Sequence, residues 1–182
     1  MRVFVAIEVS DEIRAELERA QQQLARCPAK VKWVTPTNVH LTLKFLGDVD
    51  PEAAEQVKAA MAEASGGGAV AFTVTGLGSF PPRGRPRVLW AAVSAGADAV
   101  SRLQAKLETA LRPLGFKQEH RFVPHLTIGR VKSPKGAHEL IPMLERHADT
   151  KFGSCTAAEM VLYESKLTPQ GAVYRAVARQ EL

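Results

Sequence analysis

Polar and apolar residues alternate at the start of the chain, where Val3, Val5, Ile7 and Val9 share one face of a predicted strand over residues 2–9. The period then lengthens. Ser10 reads as a helix cap, and Asp11 and Glu12 follow it where the helix dipole favours acids. Ile13, Leu17, Ala20 and Leu24 recur at helical spacing to about Arg26, and Pro28 stops them. Val31 to Val34 is a short strand, Pro36-Thr37-Asn38 a turn, and Val39 to Leu46 a strand closed by Gly47. Asp50 and Pro51 have the form of a cap and a first helical residue, opening a helix to about Ala64. It ends at Ser65-Gly66-Gly67-Gly68, which is either a linker between lobes or a plain helix-to-strand turn.

Beyond the glycines, Val70, Phe72 and Val74 alternate as a strand that Gly76 and Gly78 break. Phe80 to Arg87 carries three prolines and three arginines and must be a loop. Val88 to Val93 is a strand, and a helix from about Asp98 to Leu111 buries Val100, Leu103, Leu107 and Leu111. Phe116 to Phe122 is a polar strand or extended connector, and Pro124 leads into a strand ending at Val131. Residues 136–148 form a weaker helix containing Leu140 and Leu144, interrupted by Pro142. Residues 154–165 and 172–181 are two closing strands around a turn at Thr168-Pro169-Gln170-Gly171. This order is α+β, with repeated strand-helix units.

Two of these strands carry one pattern: His40-Leu41-Thr42-Leu43 and His125-Leu126-Thr127-Ile128. Residues two apart on a strand point the same way, so each copy presents an imidazole beside a hydroxyl and turns two aliphatic residues to the other side. Each motif strand precedes a helix. That spacing predicts a duplicated, bilobal fold with one motif strand per lobe and both histidines at the lobe interface, where pockets form. The whole chain, 1–182, is then a single two-lobed domain.

Composition narrows the partner. The formal net charge of +5 and a pI near 9.4 favour an anion. Aromatic residues are only 6% of the chain, too few for an extended stacking platform, so a small anionic end-group fits better than a long polymer track. No apolar run is long enough for a membrane span, and the N-terminal strand lacks a signal-peptide core, so the expected location is cytoplasmic. Cys27 and Cys155 are isolated and read as reduced thiols.

Histidine, with an ordinary pKa of about 6.5, can both give and take protons near neutrality. Two imidazoles flanking one phosphorus can divide the work: one takes a proton from water, the other protonates the leaving oxygen, each worth about 10²- to 10⁴-fold. The threonine hydroxyls can donate to non-bridging phosphate oxygens and stabilise charge that grows in the transition state. The scheme needs no metal and no cofactor, and the sequence has no metal-ligand spacing near either motif. His120, His138 and His147 read as solvated or incidental.

The two motifs, His40-Leu41-Thr42-Leu43-Lys44-Phe45-Leu46-Gly47 and His125-Leu126-Thr127-Ile128-Gly129-Arg130, resemble the paired motifs of the two-histidine phosphoesterase superfamily. Within it, the chain is similar to the RNA 2′,3′-cyclic phosphodiesterases, historically called 2′-5′ RNA ligases. Arg2 to Ile7, Phe80-Pro81 through Trp90, and Leu167 to Gly171 with Tyr174 carry the same likeness. The resemblance implies two lobes, each an antiparallel sheet with helices on its outer face, and an active-site cleft between them. It implies metal-free hydrolysis of an RNA-terminal 2′,3′-cyclic phosphate to a 2′-phosphate, with the 3′-oxygen leaving; a monomer is the general expectation for such a chain and is not read from any residue. His40 would be the acid, His125 the base, and Thr42 and Thr127 the phosphate ligands. Arg130 falls where the family has a basic residue. Strict alternation puts Arg130 opposite His125, so the strand is bulged around Gly129, or the side chain reaches round, or it serves another purpose. Lys44 would share the face of His40 and reads as solvated or phosphate-facing. Trp33, Phe45 and Phe80 are core residues or stacking partners for a terminal base. Other readings are an RNA-end or nucleotide binding module with little turnover, weak 2′-5′ ligation by the reverse reaction, or action on another cyclic or 2′-5′ linked nucleotide, such as ADP-ribose cyclic phosphate or 2′-5′ oligoadenylate.

Overall fold

The computed structural model describes residues 1–169 and 171–182. The chain runs β1 (Arg2–Glu8), α1 (Asp11–Leu24), β2 (Val31–Trp33), a 3-10 turn at Pro36–Asn38, β3 (His40–Asp48) and α2 (Pro51–Ala64). It continues through β4 (Val70–Phe80), β5 (Val88–Val93), α3 (Ala97–Leu111), β6 (His125–Val131), α4 (Leu140–Glu145), β7 (Lys151–Ala157), β8 (Glu159–Thr168) and β9 (Gly171–Glu181). The caps form as the sequence predicts: the Ile13 N–H donates to Ser10 Oγ at 3.3 Å, and the Ala53 N–H to Asp50 Oδ1 at 2.8 Å.

All these strands are antiparallel and join in one sheet, in the order β7-β4-β5-β6-β3-β1-β8-β9, with β2 along β6. The architecture is α+β and bilobal. One lobe holds β3, β1, β8 and β9, and the other β6, β5, β4 and β7. They meet at the two motif strands, where β3 and β6 pair at Leu41↔Leu126. Helices cover one face of the sheet: α1 and α4 pack on β7 and β4, while α2 and α3 pack on each other and reach β9, β3 and β4. Under them Val3, Val5, Ile7, Leu41, Leu43, Leu126 and Ile128 are fully buried in one core with Ile13, Leu17, Val57, Met61 and Leu107. The opposite face carries the polar side of both motifs.

Two boundaries differ from the sequence reading. Residues 154–165 are not one strand. Ala158 divides β7, which belongs to the lobe of β4, from β8, which pairs with β1 in the other lobe. An apolar run that changes partners midway looks continuous in sequence. Nor do Gly76 and Gly78 end β4, which runs on to Phe80. Gly76 takes a left-handed φ of 84° at a register shift between Val74 and Leu77. Gly78 lies under the indole of Trp90, which a Cβ there would meet at 2.3 Å. The expected turn between β8 and β9 includes Gln170, which lies outside the described residues.

Candidate active site

The register fixes how the motifs meet. With Leu41 opposite Leu126, His40 falls opposite Thr127 and His125 opposite Thr42. Continuing that one bridge by a residue on each side makes the two histidines diagonal neighbours across the seam. All four side chains are half-buried on the face away from the helices. Neither threonine hydroxyl makes a hydrogen bond among the described residues, so both are free to meet a ligand.

Each motif strand is bulged just after its threonine. In β3, Thr42 pairs with Ala6 and Lys44 with Val5, which leaves Leu43 extra. In β6, Thr127 pairs with Trp90 and Gly129 with Leu89, which leaves Ile128 extra. The extra residue reverses the alternation. Arg130 therefore lies on the same face as His125 and Thr127, and its charge is felt at Tyr174 in the other lobe. By the same shift Phe45, 59% exposed, comes to the face of His40. Lys44 goes the other way and is 2% exposed, which corrects its reading as a solvated or phosphate-facing residue. Its Nζ donates to Glu108 Oε1 at 2.6 Å and to the Lys117 carbonyl at 2.5 Å, under the sheet. The bulge in β6 has its own support. The Ile128 carbonyl accepts from the buried Gln21 Nε2 at 2.8 Å and from the Val34 N–H at 3.0 Å.

Both imidazoles are anchored by the backbone two residues upstream. His125 Nδ1 lies 2.7 Å from the Val123 carbonyl, and His40 bonds the backbone of Asn38. A neutral imidazole that donates from Nδ1 leaves Nε2 unprotonated and open. Their surroundings differ. His40 stacks on Phe4 at 4.8 Å and meets the edge of Tyr174 at 5.3 Å. Burial among these rings pushes its pKa down to about 4; the bond to Asn38 opposes that shift and the charge of Arg14 adds to it. His125 meets Phe80 edge-on at 5.2 Å, and Phe80 packs on Trp90.

A cavity of about 600 Å³ opens beside His40, lined by Glu8, Arg14, Asn38, Tyr163, Tyr174 and Arg179 among others. Its walls do not include Thr42, His125, Thr127 or Arg130, which lie on the open face beyond His40. The Glu8 carboxylate accepts from the Tyr163 hydroxyl and from Arg179 at 3.3 Å, and the Tyr163 bond leads in holding it below the usual carboxylate range. Sequence reasoning missed Phe4, Glu8 and Tyr163. Phe4 and Glu8 alternate with the core residues of β1, but only the pairing Glu8↔His40 shows what they face. Trp33 lies away from the site, over Gly129 on the helix side. His120 and His138 are exposed, and His147 sits 3.2 Å from Thr150 Oγ1. Among the described residues no three of His, Cys, Asp and Glu gather as a metal site, and no helix is long and apolar enough to cross a membrane.

Set against known families, residues 7–90 and 92–174 each match the profile described as LigT-like phosphoesterase. Each matched half contains one His-x-Thr motif. A protein of Methanothermobacter thermautotrophicus named RNA 2′,3′-cyclic phosphodiesterase is 33% identical over 175 residues, covering 96% of this chain and 95% of its own. One of the same name from Thermotoga maritima is 35% identical over 179 residues, covering 96% and 92%. The crystal structure of TT0787 of Thermus thermophilus superposes with a TM-score of 0.84 at 29% identity, over 100% of this chain and 98% of that one. E. coli LigT complexed with 3′-AMP shares the fold, with a TM-score of 0.79 at 24% identity over 100% and 97%.

Proposed function

The chain belongs to the LigT-like phosphoesterase family, and on that footing we propose that it hydrolyses the 2′,3′-cyclic phosphate at an RNA end to a 2′-phosphate, without metal, as a cytoplasmic monomer. The observation that carries the reading is the register at the seam: one imidazole and one hydroxyl from each lobe converge on one open face, with Arg130 beside them. An anionic phosphate there would take hydrogen bonds from Thr42 and Thr127 and the charge of Arg130. One Nε2 removes a proton from water as the water oxygen attacks phosphorus. The bond from phosphorus to the 3′-oxygen breaks, and the other imidazole delivers a proton to that oxygen. The family resemblance makes His40 the donor. Its burial keeps it neutral at neutral pH in the free protein, so it must take up a proton from solvent as the substrate binds, and the negative charge of the phosphate favours that imidazolium.

The test is turnover of a short RNA ending in 2′,3′-cyclic phosphate, with the product identified by phosphorus NMR. His40→Gln and His125→Gln should each lower kcat/KM by about 10²- to 10⁴-fold. Chelator should leave the rate unchanged, and a chelator-sensitive rate restored by a divalent cation would overturn the two-imidazole scheme. A 3′-phosphate product would reverse the assignment of the leaving oxygen.

A further inference from the structure

The charges around the site are distributed unevenly. On the side of the cavity, cations are matched: Arg179 pairs with Glu8 and Glu159, and Arg175 with Glu164. Arg14, on the cavity wall, and Arg19 and Lys58 pair within their own helices, while other exposed cations such as Arg26 and Lys151 have no ion pair among the described residues. Along the outer end of β6 several exposed cations gather on one side of the site. Among the described residues none of Lys32, Arg83, Arg85, Arg87, Arg130 and Lys132 takes part in an ion pair, and all six are exposed.

The register lines these residues up with the site. Lys32 is directly opposite Arg130, Arg130 is opposite Val88, and Val88 is opposite Phe80. Residues directly opposite share a face, so these four form one row on the face of His125 and Thr127. The row nearer the histidines is Thr127 with Trp90 and Gly78. The loop carrying Arg83, Arg85 and Arg87 starts at Phe80, whose ring touches that of His125. A continuous strip therefore leaves His125, passes two half-buried aromatic rings and Arg130 with Lys32, and ends on the arginine loop. Unmatched cations interleaved with aromatic faces suit a single nucleic-acid strand, whose phosphates meet the charges and whose bases can stack.

We propose that this strip seats the last few nucleotides of a single-stranded RNA upstream of its cyclic-phosphate end. The substrate class is then an oligonucleotide, in preference to a mononucleotide. The proposal rests on the reading of the site as an RNA-end phosphodiesterase, and its test is independent of turnover. Binding of a fluorescein-labelled single-stranded RNA oligonucleotide ending in 2′-phosphate is followed by anisotropy across a series of salt concentrations. Arg83→Ala with Arg85→Ala should weaken it about tenfold at low salt. Each lost phosphate contact on a single strand should flatten the slope of log affinity against log salt by about 0.7. Binding of a nucleoside 2′-phosphate should not change. An unchanged oligonucleotide affinity and slope in the double variant would overturn the strip. Equal loss on a blunt duplex RNA of the same length would overturn the single-strand assignment. Should the wild type show the expected binding but open no cyclic phosphate, the strip stands and the proposed reaction falls.

Discussion

His40 is the residue whose setting has the clearest consequence. In the unfolded chain it should take up its proton as pH falls through about 6.5, whereas in the fold the surrounding rings hold it neutral down to about 4. The unfolded state therefore binds more protons between those values, so stability is complete above about 6.5 and declines as pH falls, by up to about 3 kcal/mol. Glu8, also held low in the fold, loses its contribution only below 4.5, so the window from 6.5 to 4.5 reports on His40. Urea denaturation across that window should show the slope in the wild type and lose it in His40→Phe; an equal slope in both would mean the imidazole is not so shielded. Activity should carry the same mark. With His40 as the proton donor, its pKa sets the alkaline limb of kcat/KM, which is expected to fall away from about pH 4, and Tyr174→Ala, which opens the ring to water, should move that limb up towards 6.5. The histidine-threonine pairs were readable from the sequence because a strand's alternation is local. The aromatic lining of His40 was not, because Phe4 reaches it only through pairing with another strand.

At the level of single elements, the bulge beside Gly129 in β6 is one of three readings the sequence leaves open for Arg130, while the matching bulge in β3 cannot be read from alternation at all. The residues after the two threonines, Leu43-Lys44-Phe45 and Ile128-Gly129-Arg130, differ in chemistry, so no shared pattern advertises the shared bulge. Its cost is legible in the support beneath it. Lys44 is turned into the protein and held by Glu108, which also accepts from Gln104 Nε2 at 3.1 Å and from the Glu119 N–H at 3.4 Å. With the Lys117 carbonyl, this network ties the irregular stretch 116–122, just before His125, to α3 and β3. Lys44→Met leaves Glu108 buried without its cation, which should cost about 3–5 kcal/mol by chemical denaturation. Pairing it with Glu108→Leu should recover most of that loss. A single variant of near wild-type stability would mean the pair is not shielded as the fold implies.

At the scale of the whole molecule, the duplication and the lobes do not coincide. The two matched halves divide near residue 91, yet β4 of the first half pairs with β5 and β7, and β8 of the second returns to β1 with β9 on its far side. Each half thus supplies strands to both lobes. The sequence reading of two lobes with one motif strand each was legible from the repeated motif. This exchange of strands was not, since a local apolar pattern carries no record of its partner. The exchange has a physical corollary. A segment such as 1–93 would keep β1 and β3 but lack β8 beside β1 and β6 beside β3, exposing unpaired edges and the core residues Val3, Val5 and Leu41. Neither half can bury its core alone, so the chain should unfold as one cooperative unit despite its bilobal form. Calorimetry should give a single transition whose van't Hoff and calorimetric enthalpies agree, and the segment 1–93 by itself should show no cooperative melting. Two resolved transitions, or a folded N-terminal half, would mean that the lobes hold together independently of the strands that cross between them.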